Sequence, residues 1–354
     1  MGVSMARITI LGAGLMGTAV AWPLADNGHD VRLVGTHLDA EIIRSCLDSG
    51  YHPRLRRRLP GKVTPYYLEE LPGALDGADV IVSGVSSPGV HWIARTLGPF
   101  LWPGATIIAV TKGLEADADG KLRILPDLLH DELPQEIRDQ VTLSAIAGPC
   151  IAGELAGRRQ SCVVFTGRDA AALNHLRSIF ATGYYHIWTS TDIVGVETCA
   201  ALKNAYTIAI GMATGLLDLE GGPDNAGASM HNLAAALFGA SAREMSRIVG
   251  LLGGGIENVP WLPGVGDQYV TCVGGRTIRL GRLLGAGLTY TEAVLEMVGE
   301  TLEGAYIVKQ MAQVLPEWER QGRIGKHELP LLRMLCRVIT EEARVDIPLE
   351  RLFD

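Results

Sequence analysis

Cysteine is scarce in this chain and irregularly placed. Its 354 residues carry six, Cys46, Cys150, Cys162, Cys199, Cys272 and Cys336, with no CxxC pair, so neither a zinc knuckle nor a disulfide scaffold is indicated. A reduced cytoplasm fits that usage. Positive charge is lacking too. The formal net charge of -8 argues against nucleic acid or an anionic membrane as the main partner, and any anionic substrate must be held by local cations. No basic stretch precedes an apolar signal core in MGVSMARITILGAG, so secretion is not expected. The Met-Gly start carries Ala6 where a myristoylation signal has Ser or Thr. The most apolar long segment, around 192–217, is interrupted by Glu197, Lys203 and Asn204. Gly211 and Gly215 suit close helix contacts, so it is read as an interior helix with no stable membrane insertion.

Glycine, with 43 residues, and apolar side chains, at 47% against 20% charged, are what the chain has in quantity. This is a globular composition, too long for one ordinary core. Arg7 to Leu11 predicts a strand, and Leu15 to Ala25 a helix after a glycine turn. Further strands are expected at Asp30 to Val34, Asp79 to Val85, Ala105 to Val110, Val141 to Ala147 and Ser161 to Thr166, with a helix over 170–181. This α/β alternation predicts a doubly wound, parallel Rossmann-type sheet over residues 1–190. From 191 to 354 helical periodicity dominates, at Asp192 to Leu217, Leu233 to Leu252, Thr289 to Val314 and Leu329 to Ala343, predicting an all-α second domain. Residues 218–232 read as a loop, and Gly264 to Thr277 as a small-residue loop that brings Asp267, Thr271 and Arg276 together.

Gly12, Gly14 and Gly17 form a GxGxxG between a strand and a helix, the context a dinucleotide fingerprint requires. Leu15 and Met16 belong to the same turn. No acid stands directly at the end of the second strand, so strict NAD selectivity is not supported, and NAD or NADP is expected. Thr36 and His37, with Arg54 and the run Arg56, Arg57, Arg58, are candidates to accommodate a 2′-phosphate. Lys112 follows the fourth strand, and Cys150 and Ala152 follow the fifth, at the edge where ligands bind in this fold. Lys203 and Asn204 lie inside an otherwise apolar helix. A buried ammonium needs a partner, and Asp267 is the candidate that raises again a pKa lowered by desolvation.

GAGLMGTA at 12–19, TKG at 111–113, AGPCIAGE at 147–154, ALKN at 201–204 and GVGDQYVTCVGGRT at 264–277 resemble, in order and spacing, the NAD(P)-dependent glycerol-3-phosphate dehydrogenases. The region GTHLDAEII with HPRL after it is most similar to the archaeal branch. The resemblance implies a Rossmann domain followed by a helical domain like that of 6-phosphogluconate dehydrogenases. It also implies a phosphorylated three-carbon substrate, cofactor-supplied hydride and a homodimer. By the same resemblance Lys203 donates the proton, Asp267 supports it and Arg276 grips the phosphate, with Arg276 also near the cofactor. Lys112, Asn204 and Thr271 line the substrate site, and Glu303 of the pair Glu303-Gly304 lies near the nicotinamide.

Two departures stand out. Thr277 replaces the asparagine that usually follows the arginine, and Gly239-Ala240-Ser241 replaces a Thr-Arg-Gly element. They motivate the alternative of another short phosphorylated ketose or polyol as substrate. An idle NAD(P)H-sensing module is the reading from a different class, and the presence of Lys203, Asp267 and Arg276 weighs against it.

Overall fold

The computed structural model describes residues 5–117 and 119–353; Met1–Ser4, on which the expectation about leader and lipid signals largely rests, lie outside the described residues. Two compact units emerge. One comprises Met1–Lys112 and Leu125–Ile193, the other Gly113–Ile124 and Val194–Asp354.

The main sheet of the first unit has eight strands: β1 (Arg7–Leu11), β2 (Asp30–Val34), β3 (Val63–Tyr66), β4 (Val80–Ser83), β5 (Thr106–Ala109), β6 (Thr142–Ala147), β7 (Ser161–Gly167) and β8 (Tyr185–Ser190). Their order is β8-β7-β6-β5-β4-β1-β2-β3. The register sets Ile10 opposite Leu33 in β2 and Val82 in β4. Both faces are covered: Ile8, Ile10 and Val82 belong to one apolar core, Leu11, Ile81 and Ile107 to the other. Strands buried on both faces read as continuous apolar runs, which is why the central ones are visible in the sequence.

Neighbouring strands are parallel except β6 and β7, which run antiparallel and depart from the all-parallel expectation. The edge strands β3 and β8 escape the sequence pattern. β3 contains Pro65, tolerated because an edge strand has one unpaired side, and β8 exposes Trp188. The expected helix from Leu15 to Ala25 is two short helices, Leu15–Ala19 and Ala21–Asp26. Pro23 has no N–H to give to the carbonyl of Ala19, so the ladder breaks there.

In the second unit the 27-residue helix Ile193–Leu219 runs through the core. Gly211 and Gly215 face Gly281 and Gly285 of the helix Arg276–Gly285, and a Cβ at any of the four would overlap the opposing backbone. Backbone contact at this distance is open only to glycine, and it holds the segment bearing Arg276 against the helix bearing Lys203. The hairpin of Leu114–Ala116 and Leu122–Ile124 also belongs to this unit. The Ala116 N–H donates to Gln310 Oε1 at 2.8 Å and the Tyr306 hydroxyl to Glu115 at 3.0 Å. The expected helix from Thr289 to Val314 is divided into Tyr290–Leu295 and Glu303–Arg320, with Gly299 left-handed at φ +82° between them. Among the described residues no helix is long and apolar enough to cross a membrane.

Glu244 joins three helices of this unit. Its carboxylate accepts from the N–H groups of Leu331 and Leu332 at 2.7 and 2.9 Å and from the Tyr206 hydroxyl at 2.9 Å. Burial pushes its pKa up to about 7, against the opposing pull of those donors. The folded chain therefore binds this proton more tightly than the unfolded one. The contribution is complete below the ordinary 4.5 and is lost as pH rises through about 7. Urea unfolding between pH 5 and 8 is expected to show wild type losing stability relative to Glu244→Gln as pH increases. Parallel curves would place no such proton on Glu244.

Candidate functional site

The carboxyl ends of β1 and β4 flank the point where the strand order reverses, the crevice in which this architecture binds ligands. Gly12 follows β1 at φ +118°, and a Cβ there would stand 2.7 Å from the Gly84 carbonyl carbon. Gly17 packs its Cα against Gly84, and a Cβ at Gly84 would stand 3.0 Å from the Gly17 Cα. Internal packing thus demands Gly12, Gly17 and Gly84. Gly14 differs: a Cβ there would meet nothing closer than the Gly84 oxygen at 3.8 Å. The protein itself does not require glycine at 14, whereas a pyrophosphate approaching the backbone does. The turn therefore fits a dinucleotide.

Leu15 is exposed and Met16 half-buried at the start of the helix that follows, and this helix packs against Ala152–Ala156. That packing sets Ala152 and the half-buried Cys150 beside the turn. Lys112, half-buried beyond β5, donates its Nζ to the Gly148 carbonyl at 3.2 Å. The exposed His37 ring meets Trp92 edge-on at 5.2 Å, and Arg54 is exposed. Thr36 turns inward, its hydroxyl donating to Asp39 at 2.7 Å and accepting from the Leu38 N–H at 3.2 Å. That hydroxyl is committed within the fold; of the basic run, Arg58 donates its guanidinium to the Ser49 carbonyl, and Arg56 and Arg57 are exposed.

Lys203, 6% exposed, projects from the middle of the Ile193–Leu219 helix. Its Nζ donates to Asp267 Oδ1 and to Thr271 Oγ1, both at 2.8 Å. The segment Gly264 to Thr277 is not the loop the small residues predict. Leu262–Gly266 is a π-helical turn, Asp267–Val273 an α-helix, and only Gly274 and Gly275 separate it from Arg276–Gly285. One helical turn places Asp267 and Thr271 on the same face, both toward Lys203. Asp267 also sits in the first turn of its helix, where the helix dipole favours the carboxylate. The Thr271 hydroxyl donates to the Asp267 carbonyl at 2.6 Å, which leaves its lone pairs to the lysine.

Asn204 is buried beside Lys203, and the Thr207 hydroxyl donates to the Lys203 carbonyl at 2.7 Å. Arg276 is exposed and Thr277 half-buried at the start of their helix. Gly304 explains the Glu303-Gly304 pair: a Cβ there would stand 2.6 Å from the Asn204 carbonyl oxygen. The helix Glu303–Arg320 thereby brings Glu303 to the backbone of the lysine helix. Gly239-Ala240-Ser241 lies within the helix His231–Leu251, where Ser241 is buried and accepts from Gln268 Nε2 at 2.7 Å. Among the described residues no group of His, Cys, Asp and Glu is arranged to hold a metal ion.

Sequence reasoning overlooked Gly84, Asp39 and His52. For Gly84 a signal existed, a glycine directly after an apolar strand, as Gly12 follows β1. Asp39 had its place as the first acid after β2 but does not stand directly at the strand end, and His52 had no signal; both are polar residues in polar stretches that folding buries, at 7% and 0% exposure.

The profile for the N-terminus of NAD-dependent glycerol-3-phosphate dehydrogenase matches residues 7–173, and that for the C-terminus matches 192–350. An NADP(+)-dependent glycerol-3-phosphate dehydrogenase of Archaeoglobus fulgidus is 34% identical over 96% of both chains. A glycerol-3-phosphate dehydrogenase (NAD(P)+) of Bacillus pumilus is 31% identical, covering 98% of this chain and 94% of that one. The crystal structure of glycerol-3-phosphate dehydrogenase from Coxiella burnetii is similar with a TM-score of 0.80 and 27% identity, covering 98% of each chain.

Proposed function

This chain belongs to the NAD-dependent glycerol-3-phosphate dehydrogenase family, and from that premise we propose that it reduces dihydroxyacetone phosphate reversibly to sn-glycerol 3-phosphate with NADH or NADPH. The observation that carries this reading is the buried Lys203, paired with Asp267 and Thr271 at 2.8 Å. A lysine drawn out of water and held charged by a carboxylate is equipped to give a proton and take it back.

The first unit, which takes in most of residues 1–190 but not the hairpin within Gly113–Ile124, holds the cofactor, and the helical unit holds the substrate. When bound, the reduced nicotinamide supplies hydride to the carbonyl carbon. Lys203 donates a proton to the carbonyl oxygen, and Asp267 and Thr271 fix the direction from which it comes. Arg276 presents its planar fork to the phosphate. Asn204 and Thr277 complete the substrate's polar contacts, and the family resemblance also assigns binding roles to Lys112, in the first unit, and to Glu303, in the second. In the oxidative direction Lys203 is the base. A homodimer belongs to the same reading, supported by the family resemblance and by the exposed Leu295 and Val298. A cytoplasmic setting belongs to the same reading, supported by the irregular spacing of the six cysteines in the sequence.

Absorbance at fixed dihydroxyacetone phosphate with NADH or NADPH tests substrate and cofactor together; no oxidation of either cofactor would overturn the reading. Arg276→Gln is expected to raise the KM for dihydroxyacetone phosphate by about 10-fold or more with a smaller change in kcat, since it removes a charge-assisted contact made in ground and transition states alike. Thr277 motivates a second reading, a different short ketose phosphate. Relative kcat/KM for three- and four-carbon ketose phosphates decides between them.

A further inference from the structure

Residue 13 is the alanine between the first two glycines of the phosphate-binding turn, and both polar atoms of its backbone are gripped by buried side chains. Its N–H donates to Asp39 Oδ2 at 3.1 Å, and its carbonyl accepts from His52 Nε2 at 3.0 Å. The two side chains come from different segments. Asp39 lies just before the helix Ala40–Ser49, and His52 ends the short strand Tyr51–His52, which pairs with Arg57–Arg58.

Each grip is itself locked. Asp39 Oδ2 also accepts the Thr36 N–H at 3.0 Å and the Thr36 hydroxyl at 2.7 Å. His52 Nδ1 accepts the Leu55 N–H at 3.0 Å, so Nδ1 carries no proton and the ring is the neutral form with hydrogen on Nε2. That form is the one able to donate to the Ala13 carbonyl. Burial also holds the His52 pKa below its ordinary value, which keeps the ring neutral.

We infer that Asp39 and His52 are positioning residues that clasp the Ala13 peptide and set the turn for the cofactor's pyrophosphate, and that Asp39 is not a ligand of the cofactor's ribose. Asp39 is the first acid after β2, in the neighbourhood where a ribose-binding carboxylate stands in an NAD-selective fold. Here it is 7% exposed, with one oxygen shared among three internal donors. A carboxylate so used fixes backbone; it does not read the 2′ position. The clasp also ties the turn to the hairpin carrying Arg54 and Arg56, so backbone that meets phosphate and side chains that meet the adenosine end are set by one network. The inference rests on a dinucleotide binding to the first unit and is independent of which carbonyl compound is reduced.

The test is direct binding. NADH and NADPH are titrated separately, without substrate, into the full-length protein and its variants, and Kd is read from nucleotide fluorescence. Asp39→Ala and His52→Ala are expected to weaken NADH and NADPH by the same factor, about tenfold, the scale of one or two hydrogen bonds lost from a preorganised site. His52→Gln, whose amide can still donate to the Ala13 carbonyl, is expected to recover most of that loss. Thr36→Val, which removes one of the three bonds to Asp39, is expected to give a smaller loss, again equal for both cofactors. It carries the test with His52→Gln where an alanine variant does not fold.

A selective loss of NADH binding in an Asp39 or Thr36 variant, with NADPH unchanged or tighter, would make Asp39 a ribose ligand and overturn the inference. Unchanged Kd values in folded variants would overturn it as well. Wild-type protein that binds neither nucleotide would instead overturn the dinucleotide reading.

Discussion

Lys203→Ala is expected to lower kcat by about 10²–10⁴, the range a positioned general acid supplies, while the Kd for NADH or NADPH stays near the wild-type value. The split follows from where the lysine stands. It belongs to the helical unit, and its Nζ is bound to Asp267 and Thr271, whereas the glycine turn and its clasp belong to the other unit. The protonic step therefore loses its donor while cofactor binding keeps its groups. Stopped-flow measurement of the first turnover gives the chemical rate apart from product release. If the first turnover were as fast in Lys203→Ala as in wild type, Lys203 would not be the proton donor.

Asp267→Ala is expected to cost about 3–5 kcal/mol of stability as well as most of the activity. The carboxylate is 2% exposed and its lysine 6%, so removing one partner leaves a nearly buried charge without its counter-ion. The stranded lysine meets that cost partly by releasing its proton, which also removes the group that donates to substrate. The double variant Lys203→Met with Asp267→Leu is expected to recover much of the lost stability and none of the activity, because an apolar pair of similar volume avoids the desolvation cost altogether. Chemical denaturation of the two singles and the double, set out as a double-mutant cycle, measures the coupling. A single variant as stable as wild type would show that the pair is not needed to keep either charge in the core.

Much of the site was legible because its signals are local. GxGxxG declares itself by following a strand and opening a helix, and Lys203 by being a charge in an apolar helix. The segment from Gly264 to Thr277 was legible only in part. Its small residues mimic a loop, yet Gly264 is glycine because it packs on the backbone of Val259, and Gly281 and Gly285 beyond it are glycine for helix contact. A sequence does not distinguish a glycine that frees the chain from one that admits a neighbour.

By itself the sequence determined the alternation of strand and helix in the first unit, the helical character of the second, and the identity of the chemical groups. These depend on residues near one another along the chain, through apolar period, turn chemistry and the cost of burying charge. Only the tertiary structure decided which groups meet. It set Asp267 and Thr271 on one face of a helix against Lys203, 64 and 68 residues away in the chain. It also turned Asp39 and His52 inward onto Ala13, 26 and 39 residues away. Partners at such separations are chosen by the packing of whole helices and strands, and a buried polar residue looks, in sequence, like any solvated one until its partner is in place.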